Sequence, residues 1–594
     1  MADSYFDTDD VTKEYDSRIV RRILSYLKPY KSLVFFIITS LIISTGGELV
    51  LPVLLRQIID DGILAKEVAI LTRGSIFYLI ILVFVFGFTF TQTWTSNLLT
   101  QRVMKDIRLG LFNKTLSQST GFLSRHPVGR IVTRLTSDVE TMDEFFTTVL
   151  VAFIKDLSVM AGTLITMFIL SPALAIVVLV TMPPVLILTM ISRIKARDAF
   201  RRQRTASGKV YSYLAERLAG MQVVQLFRQE KKSLREFKEY NNELLDANIG
   251  EMYVFATFRP VVEWFSTLTA SAVIIAGSAM ALSIIPGVET VSLGVLIAFI
   301  NLVQMFFHPV MDIAEKYTML QSAMAGGEKV FNLMDTNEQI PDNGKNGIAA
   351  VNGHIEFDNV CFSYKDGEEV LKNLSFNVKP GEMAAIVGYT GAGKTTIINV
   401  LARLWDINSG VIRLDGVPIK EIPLEELRRC IIPVMQDVTL FSGTIEENIA
   451  LGLNLSHEEI VKAAKTVHAH DFISGLPDGY QTVLSERAAN ISTGQRQLIS
   501  FARVIAHNPR VVILDEATSS IDTETERLIQ LGMKKVLAGR TSFVIAHRLS
   551  TIKDADRIMV LSHGHLAEEG RHEELITRAG LYAGLYKLQY DYHF

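Results

Sequence analysis

In the first half of the chain the apolar residues neither alternate nor follow a helical stripe; they fall in blocks of about twenty, the length that crosses a bilayer as a helix. The blocks are Ser32 to Leu55, interrupted by Glu48; Ser75 to Leu98, without a charge; Phe146 to Leu170, with Lys155 and Asp156; Ala173 to Ser192, after the break at Ser171-Pro172; Val261 to Ile284; and Val291 to Met311. The last two are separated by Ile285-Pro286-Gly287-Val288-Glu289. Six spans put both termini on one side of the membrane. Segments 99–145 and 193–258 hold about 20 Lys and Arg, whereas the loops on the other face hold little beyond Lys66 and Arg73. Basic loops stay in the cytoplasm, so the termini and the second half of the chain are expected there. The basic run Arg193 to Arg204 reads as a solvated helix extension, and nucleic acid is not an expected partner.

After about residue 353 the pattern changes to short, fully apolar runs between amphipathic helical stretches, as in parallel sheets covered by helices. Two of these runs lead into chemistry. Met383-Ala-Ala-Ile-Val387 precedes Gly388-Tyr389-Thr390-Gly391-Ala392-Gly393-Lys394-Thr395, and a helical pattern starts at Thr396. Strand, G-x-x-x-x-G-K-[ST] and helix together make a phosphate-binding loop. Its backbone N–H groups and helix N-terminus face the phosphates, Lys394 reaches the β and γ oxygens, and the Thr395 hydroxyl binds Mg²⁺. Val511-Val-Ile-Leu514 is a second buried strand, with Asp515 and Glu516 at its end. Asp515 is expected to hold Mg²⁺, partly through water, and Glu516 to polarise an attacking water as general base.

Composition changes little in this picture. The 594 residues are 49% hydrophobic, and 59 basic against 63 acidic residues give a net charge of −4, which identifies no partner. The two cysteines, Cys361 and Cys430, support neither a disulfide framework nor a zinc site. Met1 to Asp16 is acidic and lacks an apolar core, so it reads as a flexible tail and not as a signal peptide. Pro341-Asp-Asn-Gly344 and Asn346-Gly347 mark a linker. The expected division is a tail 1–16, a transmembrane domain 17–325, a linker 326–352 and a nucleotide-binding domain 353–594.

About 20 residues upstream of the second strand lies Ile491-Ser492-Thr493-Gly494-Gln495-Arg496-Gln497. It resembles the Leu-Ser-Gly-Gly-Gln signature of the ATP-binding-cassette (ABC) transporters, and the stretch 353–590 resembles their nucleotide-binding domain. The resemblance implies an α/β P-loop ATPase following an α-helical transmembrane domain of exporter type, with ATP and Mg²⁺ as cofactors. It also implies roles for residues that fall in family order. Tyr364 stacks on adenine; Thr396 follows the phosphate loop; Gln436 senses Mg²⁺ and relays to the membrane domain; Asp522 speaks across a dimer; His547 contacts the γ-phosphate. Two such domains pair head to tail, so Ser492, Thr493, Gly494 and Gln495 face the ATP of a partner chain. The family segment Thr-x-x-Gly-Glu-x-Gly is here Thr482-Val-Leu-Ser485-Glu486-Arg487-Ala488, without either glycine.

The membrane half resembles the exporter branch, with residues 18–30 as its elbow helix at the membrane surface, Arg21, Arg22 and Lys28 toward headgroups, and short coupling helices near 118–126 and 206–216. This implies ATP-driven export of amphipathic, drug-like or lipid-like molecules by alternating access, by half of a dimer in a cytoplasmic membrane of bacterial type. Peptide or lipid export, or an ATP-gated channel or regulatory subunit, are the alternatives. Within the spans, Glu48, Asp156, Glu263 and Asp312 are candidate substrate carboxylates, and a cavity of Glu48, Trp94, Phe265 and Phe306 would suit cations. Thr493 replaces a glycine of the signature while Lys394, Asp515, Glu516 and His547 are kept. That combination implies a heterodimer whose second chain has a regular signature and an altered catalytic glutamate.

Overall fold

A computed structural model describes residues 17–590 except 283–289, 343, 345, 346, 348–350, 366, 516–522 and 546–551. Glu516, Asp522, His547, the loop 285–289 and the tail 1–16 lie outside the described residues. The chain divides into two compact units, 1–116 with 128–336, and 117–127 with 337–594.

The first unit is helical and, among the described residues, carries six helices long and apolar enough to cross a membrane: Lys28–Leu64, Val68–Leu116, Val128–Leu170, Pro172–Ala219, Glu230–Ala281 and Leu293–Asp312. Several far exceed the bilayer. At 1.5 Å per residue the 49-residue helix Val68–Leu116 is about 74 Å long, more than twice a hydrocarbon core. Its most apolar window is buried nowhere within the unit, and Phe77, Val83, Phe86 and Phe90 are all exposed, a surface suited only to lipid or a partner.

Interhelical polar contacts join the spans. The Lys155 ammonium pairs with Glu48 at 2.9 Å, and Lys316 pairs with Asp156 and, within its own helix at 3.8 Å, with Asp312. Asp60 accepts from the Ser292 hydroxyl and from the Gly294 N–H at 2.8 Å, satisfying donors at the start of the last helix.

Three expectations are corrected here. The N-terminal helix Ser17–Ser25 does not offer Arg22 to lipid headgroups: the guanidinium is bidentate on Asp335 and lies 4.4 Å from the Phe331 ring centroid. Phe331 and Asp335 share one helical face at i, i+4 and present an aromatic plane and a carboxylate together, the pair a planar cation suits best. The Asp335 carboxyl is held below its ordinary range by that hydrogen bond.

Next, the last helix does not stop at 325; it runs Leu293–Asp335, into the stretch expected as linker. Gly326 and Gly327 belong to its packing face, since a Cβ on Gly326 would meet Thr141 Oγ1 at 2.2 Å and the Asp138 carbonyl at 2.8 Å. Finally, residues 206–216 are the interior of the unbroken helix Met182–Ala219, and the turn lies later, at the short helix Met221–Leu226. Ala206 and Val210 are buried, the Tyr213 hydroxyl donates to the Ser233 carbonyl at 2.9 Å, and Arg217 pairs with Glu236, so 206–216 is one arm of a helical hairpin with Glu230–Ala281.

The second unit begins with the short helix Thr120–Arg125, close to the expected 118–126. Its strands follow as Ile355–Ser363 (β1), Glu369–Val378 (β2), Met383–Gly388 (β3), Ser409–Leu414 (β4), Val417–Pro418 (β5), Ile431–Val434 (β6), Gly443–Thr444 (β7), Val483–Leu484 (β8), Val511–Asp515 (β9), Thr541–Ile545 (β10), Arg557–Ser562 (β11) and His565–Gly570 (β12). The main sheet has the order β12-β11-β3-β10-β9-β6 and is parallel except for β12; an antiparallel sheet β2-β1-β4-β5 accompanies it. β9, with its apolar run Val511–Leu514, and β10, with Phe543–Ile545, are buried on both faces, and two hydrophobic cores form around the main sheet.

Candidate functional site

The register of the main sheet brings Lys394, Thr395, Gln436 and Asp515 to one edge. In a parallel sheet every strand ends on the same side, and loops leaving that side form the crevice where ligands bind. β3 ends in the phosphate loop, β9 ends at Asp515, and β10 ends at Ile545, which pairs with Asp515. β6 pairs with β9 from Ile431↔Val511 to Val434↔Leu514, so Gln436, exposed two positions past β6, shares that edge. Residues about 160 apart in sequence, as Met383 and Ser542, are thus set side by side by backbone hydrogen bonds alone.

The phosphate loop itself is shaped by glycine. Gly393 sits at φ 103°, outside the range side-chain-bearing residues adopt freely, and a Cβ there would meet Leu371 Cδ2 at 2.9 Å. The helix Lys394–Leu401 starts immediately after, with Thr395 exposed and Ala392 and Thr396 buried. The Lys394 ammonium folds over the loop, donating to the carbonyls of Gly388 at 2.7 Å and Tyr389 at 3.0 Å. Burial pulls its pKa below the ordinary lysine value, and the Asp515 carboxylate opposes that pull. A flexible ammonium across a loop opened by glycines at the start of a helix fits a polyphosphate. The Thr395 hydroxyl and Asp515 carboxylate are the hard oxygen donors that Mg²⁺ takes.

Tyr364 lies beside this loop. Its hydroxyl donates to Thr396 Oγ1 at 3.2 Å and accepts from Asn399 Nδ2 at 2.9 Å, and its ring meets Phe362 and Trp405 edge to face at centroid distances of 4.8 and 4.9 Å. The ring is therefore positioned by the helix that the phosphate loop begins.

The signature segment is built locally. Ser492 caps the helix Thr493–His507: its side chain accepts from the Gln495 N–H, and the Gln495 side chain accepts from the Ser492 N–H, a reciprocal capping box. Gly494 is buried, while Thr493 is exposed at the first helical position, its hydroxyl accepting from Arg496 at 2.9 Å. The two missing glycines upstream have different consequences. Ser485 is extended (φ −70°, ψ 174°) and needs no glycine, whereas Ala488 keeps a left-handed φ of 51°. Asn490 holds the loop by accepting from the Ser485 N–H and donating to the Val483 carbonyl.

Two residues that the sequence reading missed tie this segment to the Gln436 loop. Arg503, on the buried side of the signature helix, donates to the Asn448 carbonyl at 2.8 Å and the Thr439 carbonyl at 3.3 Å. The Asn448 side chain, 2% exposed, bonds both the N–H and the carbonyl of Phe441. Their signal in sequence was an arginine and an asparagine on otherwise apolar helix faces. In the membrane unit, the expected acidic cavity is corrected: Glu48 faces Lys155, and Asp156 and Asp312 face Lys316, while Phe306 is 6% exposed and Trp94 68%. Lysines on a neighbouring helix, for Glu48 and Asp156, or on the same helix, for Asp312, neutralise these carboxylates because an unpaired charge there is costly.

Comparison with known proteins agrees with both halves. Residues 34–310 match the ABC transporter transmembrane region, and residues 371–519 match the ABC transporter family. An uncharacterized ABC transporter ATP-binding protein, YknV of Bacillus subtilis (strain 168), is 38% identical over 99% of this chain and 97% of its own length. An ATP-dependent lipid A-core flippase of Syntrophus aciditrophicus (strain SB) is 32% identical over 96% of this chain and 94% of its own. A probable multidrug resistance ABC transporter ATP-binding/permease protein, YheH of Bacillus subtilis (strain 168), is 34% identical over 86% and 75%. With six spans ahead of a phosphate loop on a parallel sheet, and relatives alike over nearly the whole length, this chain belongs to the ABC transporters as an exporter-type half-transporter with one transmembrane region and one ATP-hydrolysing domain.

Proposed function

We propose that the chain exports amphipathic, lipid-like or drug-like molecules across a bacterial cytoplasmic membrane, with its ATPase domain and both termini in the cytoplasm. The observation that carries this is the convergence of Lys394, Thr395, Gln436 and Asp515 on one sheet edge in a chain with six spans. Relatives named for lipid A-core and multidrug transport support the substrate class. Pairing of Glu48, Asp156 and Asp312 with lysines favours lipid-like over cationic substrates.

In this reading Tyr364 stacks on the base, residues Gly388 to Thr396 cradle the phosphates, and Lys394 holds the β and γ oxygens. Thr395, Gln436 and Asp515 hold Mg²⁺, which when bound neutralises phosphate charge. Glu516 acts as general base on the attacking water, and His547 contacts the γ-phosphate. Closure is driven because ATP binds the closed pair of domains better than the open one. Glu516→Gln is expected to abolish phosphate release and ATP-dependent uptake of a fluorescent lipid into inverted vesicles; ion conductance without uphill transport would overturn the reading.

The partner is proposed to be a second, different half-transporter. Ser492, Thr493, Gly494 and Gln495, with Asp522, face the partner's ATP, and the exposed Thr493 side chain stands where the family has glycine. The weak composite site is then the partner's, with this chain's own ATP hydrolysed against a regular signature. Purification in mild detergent should bring down a related chain with an altered catalytic glutamate. Full transport by this chain alone in proteoliposomes would sink the heterodimer.

A further inference from the structure

Residues 117–127 belong to the same compact unit as the ATPase fold, so the seat of the helix Thr120–Arg125 can be followed atom by atom. One end of that seat is a polar clip. The Ser119 N–H donates to the Glu338 carbonyl at 2.9 Å, the Glu338 N–H donates to Gln118 Oε1 at 3.0 Å, and Arg125 pairs with the Glu338 carboxylate. The other end is an aromatic floor. Phe122 is 1% exposed, and Gly121 lies so close to the Trp405 indole that a Cβ would meet Cη2 and Cζ3 at 2.8 Å.

The same indole meets Tyr364 edge to face, with centroids 4.9 Å apart and planes at 87°. Phe362, 2% exposed, closes the cluster at 4.8 Å from Tyr364 and 5.9 Å from Trp405. The Tyr364 hydroxyl is pinned to Thr396 and Asn399, so a shift of its ring is free to pass only through the edge contacts. Close-packed aromatics transmit displacement because they have no slack.

We propose that Trp405 is a positioning residue: in contact with both Tyr364 and Gly121, it links occupancy of the base pocket to the seating of the helix Thr120–Arg125. This rests on the assignment of Tyr364 to adenine. Trp405 does not itself touch nucleotide; it sets the angle of the ring that does, and it receives any movement of the helix through a glycine that leaves no gap. The coupling is reciprocal, so a change at position 121 alters nucleotide affinity.

The chain has three tryptophans, Trp94, Trp264 and Trp405, so a Trp94→Phe/Trp264→Phe background leaves Trp405 as the sole indole emitter. In the purified full-length chain, saturating ATP in EDTA is expected to shift its emission, Tyr364→Phe to keep the shift, and Tyr364→Ala to abolish it. Gly121→Ala, far from the phosphates in sequence, is expected to raise the KM for ATP about twofold to tenfold, the size of one aromatic contact, with kcat changed less. Trp405→Leu should do the same and Trp405→Phe should restore most of the affinity. Equilibrium dialysis of radiolabelled ATP runs alongside. Bound ATP with no emission shift, or a Gly121→Ala chain with unaltered KM, overturns the relay and leaves the base assignment standing. Unchanged ATP affinity in Tyr364→Ala overturns the base assignment itself.

Discussion

The phosphate loop and the signature segment are built in opposite ways. The phosphate loop hangs from β3, which lies between β11 and β10 in the main sheet, so its position depends on strands separated by over a hundred residues. Apart from the short pairing of Val483–Leu484 with Gly443–Thr444, the segment 482–497 depends on its neighbours: a capping box at Ser492 and Gln495, and Asn490 bridging to Ser485 and Val483. The first retains every residue of its motif. The second has lost three glycines of the family pattern, at 485, 488 and 493, and each loss is absorbed by local geometry. Ser485 is extended, Ala488 accepts a left-handed backbone, and Thr493 turns its hydroxyl to Arg496. Where a loop is fixed by the whole sheet, sequence has little latitude; where it is fixed by its own hydrogen bonds, substitution costs about a kilocalorie and can be borne.

That contrast can be broken most strongly at the phosphate loop. Lys394→Ala removes the only side chain donating to the Gly388 and Tyr389 carbonyls among the described contacts, and ATPase activity should fall by about a hundredfold or more, measured as phosphate release. An ATPase loss of less than tenfold would mean that the loop backbone alone holds the phosphates.

Next in size is the junction between the signature helix and the Gln436 loop. Asn448→Ala should destabilise the ATPase domain by about 2–3 kcal/mol, because the Phe441 N–H and carbonyl lose their partner in a buried site; thermal unfolding of the solubilised chain reads this out. A loss comparable to that of an exposed asparagine would show that water replaces the amide there.

A smaller effect follows from His507 at the end of the signature helix. Burial lowers its pKa from the ordinary 6.5, and its Nε2 is buried without a hydrogen-bond partner among the described residues. The unfolded chain therefore binds a proton that the folded chain resists, so stability is full above about pH 6.5 and falls as pH drops below that value toward the folded pKa. His507→Gln should flatten this part of the melting-temperature profile between pH 7 and 5.5, and an equally steep profile in the variant would assign the slope elsewhere.

The smallest change expected is a gain. Ala488→Gly relieves the left-handed strain and, after the entropy glycine adds to the unfolded chain, should stabilise by about 0.5–1 kcal/mol. A loss of stability would mean that the buried Ala488 methyl outweighs the strain it imposes.

Much of this molecule is legible in one dimension. The six spans read directly because a bilayer demands contiguous apolar length, and the phosphate loop reads because its chemistry needs fixed residue types at fixed spacing. The expectations that failed depended on what lay opposite a residue. Gly326 looked like a linker glycine until Thr141 and Asp138 were found against it, and Arg22 looked like a headgroup ligand until Phe331 and Asp335 were found beneath it. The second loop's turn was misplaced because residues 206–216 and 230–240 are both good helix sequence, and only their mutual packing shows where the hairpin reverses.

Sequence by itself determined the class of machine: membrane helices followed by a P-loop ATPase, both properties of residues near one another along the chain. Tertiary structure decided which charges are spent on each other, as Glu48 with Lys155, and which residues connect one site to another, as Arg503 with Asn448 or Trp405 with Tyr364 and Gly121. The physical reason is that pairing and contact depend on distances across the fold, which no local pattern of types and spacings encodes.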